Sequence, residues 1–190
     1  FETAQKNISL EKCRERALAA FNRGDAKAAL EQLSPCREIV TNDPYFHVLL
    51  GRTLSAIGRN DLAAPHLERT LTLNPEFPGG AFALATVYIN LGRAADAEAP
   101  LQAALTQNSD HFQARARLGT VFTRTGRFQQ AIVEFDRAVQ GGTLDEIAEF
   151  DWANALAQTG APDQAMVHYQ RVRAINPRHA DAHYNLGVML

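Results

Sequence analysis

Residues 112–145 read FQARARLGTVFTRTGRFQQAIVEFDRAVQGGTLD and decide the fold. Apolar and small side chains recur at helical spacing on both sides of Gly126, which predicts two helices of about 14 residues joined by a tight turn. Neither helix carries enough apolar surface to fold alone, so we expect the pair to stack on copies of itself.

The copies fill the chain at a constant period of 34 residues. In five successive units a glycine stands at the turn and an alanine follows five residues later. These residues are Gly24, Gly58, Gly92, Gly126 and Gly160, with Ala29, Ala63, Ala97, Ala131 and Ala165. The pattern resembles the tetratricopeptide repeat (TPR) family in its period, its alternation of small and large residues and its terminal proline. The resemblance implies an all-α solenoid of antiparallel helix pairs forming a right-handed superhelix.

The phase of the repeat predicts how the chain is divided. A lead-in of residues 1–9 precedes five complete repeats at 10–43, 44–77, 78–111, 112–145 and 146–179, and residues 180–190 begin a sixth. Because the chain lacks an initiator Met and stops within the first helix of the sixth repeat, we expect it to be part of a longer protein.

Composition excludes several functions. The net charge is −2 with acids and bases mixed, so nothing favours nucleic acid as a partner. No apolar run approaches the ~18 residues of a membrane span. Phosphate-loop, dinucleotide and nucleophile motifs are missing, which predicts no enzyme activity and no cofactor. His179 and His183 lie at helical spacing but lack further ligands, so no metal site is expected.

The two cysteines, Cys13 and Cys36, lie 11 residues before and 12 residues after the turn at Gly24. Residues equidistant from the turn of a helical hairpin lie side by side, so a disulfide is one interpretation. That interpretation implies an oxidising compartment, such as a bacterial periplasm. The other interpretation is a pair of buried free thiols that serve as small apolar residues, which leaves the cytoplasm open.

In the TPR family, the first helix of each repeat lines a concave groove that holds a partner protein or peptide. The family's groove positions fall here on aromatic, basic and amide side chains, which suit an extended or helical peptide. The predicted groove residues are Arg14, Phe21, Tyr45, Arg52, Phe82, Ile89, Asn90, Arg117, Thr120, Arg124, Phe150, Asn154 and Tyr184.

A specialised family site is incomplete in this sequence. The carboxylate clamp of chaperone-binding members begins with Lys or Arg at the fifth position of a repeat and Asn at the ninth. Repeat 1 has Arg14 but Leu18, and repeat 5 has Asn154 but Phe150. We therefore do not expect this clamp.

The sequence thus predicts a scaffold or adaptor that binds a partner protein or peptide. Sixteen of the 19 basic residues are Arg, a bias typical of GC-rich bacterial genomes, so we expect a role in a bacterial envelope assembly such as a pilus, polysaccharide export or outer-membrane biogenesis. The alternative is the N-terminal recognition domain of a larger glycosyl-, sulfo- or hydroxylating enzyme. Self-association through the exposed edge of the C-terminal repeat is a further expectation.

Overall fold

A computed structural model describes residues 2–36 and 42–189, with side chains from Leu10 onward. Eleven α-helices account for most of these residues, and no strand occurs among them. They are α1 (Glu2–Asn22), α2 (Ala26–Leu33), α3 (Pro44–Ala56), α4 (Asn60–Leu73), α5 (Gly80–Asn90), α6 (Ala94–Gln107), α7 (Phe112–Arg124), α8 (Phe128–Val139), α9 (Glu146–Gln158), α10 (Pro162–Ile175) and α11 (Ala180–Met189). A 3₁₀ turn, Ser34–Cys36, follows α2.

Each tight turn is built on a glycine. Gly24, Gly58, Gly92, Gly126 and Gly160 have φ angles between +73° and +81°, a region that glycine adopts without steric cost. The helices that follow these turns begin at 34-residue intervals, at residues 26, 60, 94, 128 and 162. The predicted all-α fold of antiparallel helix pairs is confirmed.

The chain forms two compact units, Phe1–Gly92 and Arg93–Leu190, called here the N-terminal and C-terminal units. In the N-terminal unit α1 packs on α2, α3 packs on α4, and α5 packs on α3 and α4. In the C-terminal unit α7 packs on α8, α9 packs on α10, and α11 closes against α10.

Close helix approach explains the small residue at the eighth position of the repeats. A Cβ atom added to Gly51 would lie 2.6 Å from Leu67 Cγ, and one added to Gly119 would lie 2.7 Å from Phe135 Cε1. Leu67 and Phe135 are completely buried. The large residue of one helix therefore occupies the space that the missing side chain of its neighbour leaves open.

The first helix begins earlier than the sequence suggested. A lead-in was expected over residues 1–9, but α1 already begins at Glu2. This segment contains no Gly or Pro that would end a helix, and extending an existing helix costs far less than nucleating one.

Candidate functional site

The N-terminal unit carries an open cleft of about 490 Å³, called here cleft 1. Helices α1 and α3 and the segment before α5 supply its walls. The lining residues are Glu11, Arg14, Glu15, Leu18, Tyr45, Val48, Leu49, Arg52, Phe77 and Pro78. Tyr45 is 62% exposed, and its ring meets the Phe77 ring edge-on at 4.8 Å. An exposed aromatic side chain at the wall of a cleft is suited to contact with another molecule.

Arg14 is fixed in cleft 1 by two neighbours. Its Nη1 atom donates to Asp43 Oδ2 at 2.7 Å, and its guanidinium lies 5.6 Å from the centre of the Tyr45 ring. Asp43 also caps α3, because its Oδ1 atom accepts from the Tyr45 backbone N–H at 3.0 Å. The Arg14 side chain therefore links α1 to the start of α3.

A second opening of about 340 Å³, called here cleft 2, shares Arg52 with cleft 1. Its lining residues are Phe21, Arg52, Ser55, Ala56, Leu67, Gly79, Phe82, Ala83, Thr86 and Val87. The Arg52 guanidinium lies 5.1 Å from the centre of the Phe21 ring. Arg52 thus places one cation at the boundary between two largely apolar openings.

The C-terminal unit has its own cleft, called here cleft 3, of about 460 Å³. Its polar wall includes Asp151, whose Oδ2 atom lies 3.6 Å from Arg124 Nε. Burial raises the pKa of Asp151, although the positive charge of Arg124 acts in the opposite direction. The site therefore holds a carboxyl group that is costly to ionise next to a partly exposed guanidinium.

Tyr169 orients two amides at cleft 3. Its hydroxyl donates to Asn154 Oδ1 at 2.6 Å and accepts from Asn185 Nδ2 at 3.0 Å. A phenolic hydroxyl has a single proton, so it can donate to only one of the two amides. The free end of one amide is consequently a donor and the free end of the other an acceptor, the two groups that a peptide bond requires.

Most of the predicted groove residues lie at these clefts or at the surface. Arg14, Phe21, Tyr45, Arg52 and Phe82 line clefts 1 and 2, and Arg124 and Asn154 line cleft 3. Asn90 is exposed. Tyr184 is 72% exposed on α11, beside exposed Val188. Self-association through α11 stays a prediction.

Two predicted groove positions are buried, and the prediction for them is wrong. Ile89 is 4% exposed because it follows Ala81 and Ala85 on the buried face of α5. Thr120 is 0% exposed because it lies on the side of α7 that packs against α9. A ligand on the surface cannot reach either side chain.

Two other predicted residues have internal partners. Arg117 donates to Asp145 Oδ2 at 2.6 Å, and Asp145 caps α9 through the Ala148 backbone N–H. The ring of Phe150 packs 5.7 Å from Tyr169 and 4.6 Å from His179. Through these contacts Arg117 and Phe150 help to hold neighbouring helices together.

Sequence reasoning missed several lining residues, among them Glu11 and Glu15 of cleft 1. Leu18 and Phe77 supply apolar walls of cleft 1, and Tyr169 supplies the hydroxyl at cleft 3. The available signals were an aromatic residue in the loop after Pro75 and a tyrosine where three other repeats have leucine and one has phenylalanine.

The structure joins Cys13 and Cys36 by a disulfide, with the Cα atoms 6.7 Å apart. The bond links α1 to the 3₁₀ turn after α2. Within the described residues, no group of three or more potential metal ligands occurs. None of the helices described is both long and apolar enough to cross a membrane.

The tetratricopeptide repeat family model matches residues 48–109, 82–145 and 150–190. Anaphase-promoting complex subunit 3 of Schizosaccharomyces pombe is 25% identical over 180 residues. That alignment covers 95% of this chain but 25% of the relative, so this chain spans about a quarter of the relative's length.

Solved structures give the same fold. MamA from Desulfovibrio magneticus RS-1 has a TM-score of 0.74 at 17% identity, covering 90% of this chain and 97% of that chain. YrrB, a TPR protein with an unusual peptide-binding site, has a TM-score of 0.74 at 17% identity and covers 96% of this chain and 95% of its own. At these identities the likeness concerns the fold alone.

Proposed function

The chain belongs to the tetratricopeptide repeat family, and from this premise we propose that it is a non-catalytic scaffold or adaptor that binds a segment of a partner protein. Cleft 1 carries the proposal. It combines an exposed aromatic anchor, apolar walls and fixed cations in an open cleft of about 490 Å³. Tyrosine and arginine are the side chains that contribute most to protein interfaces.

The geometry of cleft 3 supports the same proposal. Asn154 and Asn185 present one donor and one acceptor beside Arg124, a set that can hold the main chain of a peptide. Peptide binding by YrrB, a protein of similar fold, is consistent with this use of the surface.

A site-specific photo-crosslinking experiment in the native host tests the proposal. A benzophenone side chain at Tyr45 keeps an aromatic group in cleft 1, and the same group at exposed Val133 on α8 is the matched control. We expect a discrete crosslinked partner from position 45 and none of the same mass from position 133. Equal products at both positions, or none at position 45, would contradict binding at cleft 1.

We further propose that the chain acts in a bacterial envelope assembly, in an extracytoplasmic compartment. The Cys13–Cys36 disulfide supports this location, since structural disulfides are rare in the reducing cytoplasm. Intact mass after alkylation without reductant, on protein taken from its host, tests it. An unmodified, oxidised chain is the expected result, and two alkylated thiols would favour the cytoplasm instead. The similar proteins named above do not support the alternative of an enzyme's recognition domain.

A further inference from the structure

Cleft 1 has charges of opposite sign at its two ends. Glu11 and Glu15 line it from α1, and Arg52 lines it from α3 where it meets cleft 2. Between these ends most of the walls are apolar, with Leu18, Tyr45 and Val48 among the lining residues, and the Arg14 cation is neutralised by Asp43. The cleft is therefore charged at both ends and largely apolar in the middle.

Arg52 is the cation that a ligand can use. Arg14 in the same cleft is already paired with Asp43 at 2.7 Å. Arg52, by contrast, is exposed and stacks on Phe21, and none of the described carboxylates forms an ion pair with it. Stacking on a ring restricts the guanidinium while leaving its N–H donors available for a carboxylate.

The opposite end provides the complementary charge. Glu11 and Glu15 are exposed, and neither forms an ion pair with a cation of the described residues. They lie on one side of α1 with Leu18, at spacings of four and three residues. A basic side chain of a ligand that packs on Leu18 would meet these carboxylates.

The length of α1 sets the spacing of the two charges. Phe21, which marks the level of Arg52, follows Glu11 by ten residues and Glu15 by six. At a rise of 1.5 Å per residue, these separations are roughly 15 Å and 9 Å along the helix. An extended peptide advances about 3.3 Å per residue, so it covers this distance in three to five residues.

We propose that cleft 1 recognises an extended peptide segment with a basic side chain and an acidic side chain three to five positions apart and an apolar side chain between them. The acidic group binds Arg52, the basic group binds Glu11 or Glu15, and the apolar group packs on Leu18 and Tyr45. This inference rests on the proposed function, since it specifies the ligand of the same cleft. The charge complementarity of the two ends selects such a segment over a uniformly apolar one.

A random dodecapeptide display library, panned on the full 190-residue chain, tests the proposal. Wild-type protein should enrich peptides in which a basic and an acidic residue flank an apolar residue at this spacing. Arg52→Gln should remove the preference for the acidic residue, and Arg52→Glu should replace it with a preference for a basic residue. Glu15→Lys should remove the preference for the basic residue. The control for Arg52→Glu is Arg178→Glu, which makes the same change of net charge at an exposed loop position outside the clefts. It should keep the wild-type preference.

The affinity of one enriched peptide, measured by fluorescence anisotropy, gives the size of the effect. Arg52→Glu should weaken binding at least tenfold, and exchanging the acidic residue of the peptide for arginine should restore most of it. An acidic preference that survives in Arg52→Glu would overturn the inference while leaving peptide binding at cleft 1 intact. A failure of the wild type to enrich any peptide, or enrichment that Tyr45→Ser and Leu18→Asp both leave unchanged, would overturn the proposed function together with the inference.

Discussion

Gly119→Ala tests the close approach of α7 to α8. Alanine is favoured over glycine within a helix by about 1 kcal/mol, so propensity alone predicts a more stable protein. The structure predicts the reverse. The added Cβ atom would lie 2.7, 2.8 and 2.9 Å from three ring carbons of Phe135, well inside van der Waals contact.

The surrounding side chains prevent the Phe135 ring from moving away from an added Cβ atom. It is completely buried and stacks on Trp152 with the ring centres 5.6 Å apart. Extra atoms in a packed core typically cost about 1–3 kcal/mol. After the propensity gain is subtracted, we expect Gly119→Ala to lower the free energy of unfolding by up to about 2 kcal/mol.

Gly187→Ala is the matched control. Gly187 occupies the same position of the sixth repeat, lies within α11, and a Cβ added there meets nothing within 4 Å. This variant should range from unchanged to about 1 kcal/mol more stable. Urea unfolding, followed by circular dichroism and by the fluorescence of Trp152, the single tryptophan, measures both variants. The reasoning is refuted if Gly119→Ala stabilises the protein as much as Gly187→Ala does.

A double-mutant cycle separates the contact from other effects. Phe135→Leu removes ring atoms. Combined with Gly119→Ala, it produces an alanine facing a leucine, the pair that the first repeat already has in buried Ala17 and Leu33. The double variant should be more stable than the sum of the two single changes predicts. If the changes in the free energy of unfolding of the two single variants simply add, the Phe135 ring is not the group that the added methyl contacts.

Three further predictions concern charge and redox state. Arg127→Met should lower the free energy of unfolding by at most about 1 kcal/mol at pH 7, since solvent screens a surface pair. Hydrogen bonds from Arg127, at 2.6 and 2.9 Å, lower the pKa of Glu98, so the contribution of this ion pair should be lost as the pH falls through that lowered pKa. Asp151→Asn should raise the Tm at pH 7, because burial raises the pKa of Asp151 and its ionised form opposes folding. The gain in Tm should disappear at pH ~3, where the carboxyl group is protonated in the wild type. A gain in Tm that does not depend on pH would contradict this explanation. Reduction of the Cys13–Cys36 disulfide, which spans 23 residues, should cost about 3 kcal/mol in urea unfolding, and a variant with serine at both positions should not respond to reductant.

The fold could be predicted because its determinants recur with one period. The turn glycines fix where each helix pair reverses, and the small and large residues at matching positions fix how closely the helices approach. Contacts that occur once escape such reasoning. Gly141 and Gly142 follow α8 because the Phe112 ring covers them, and a Cβ on either would lie 2.7 Å from that side chain. Nothing in the spacing of these residues indicates that contact.

The candidate site was predictable only in part. Tyr45 is exposed because it lies beside the row of core residues on α3, and the sequence alone predicts that exposure. Burial of Thr120 depends on how α9 lies against α7, which is a property of the neighbouring repeat. A stripe on one helix therefore predicts which residues face away from its own partner helix, but it does not predict which of them another helix covers.

Three predicted groove arginines have internal carboxylate partners, and two of them, Arg14 and Arg117, share a sequence feature that Arg52 lacks. Arg14 and Arg117 are followed, 29 and 28 residues later, by the aspartates that cap the next first helix, Asp43 and Asp145. In the second repeat the position equivalent to these aspartates is Phe77, and Arg52 also lies three to four residues further along its helix than Arg14 and Arg117 do. An aspartate that caps the next first helix thus indicates that an arginine near the start of the preceding first helix forms part of the joint between repeats. Arg14 is paired in this way and Arg52 in the same cleft is not, which is why Arg52 is the residue proposed to bind an acidic side chain.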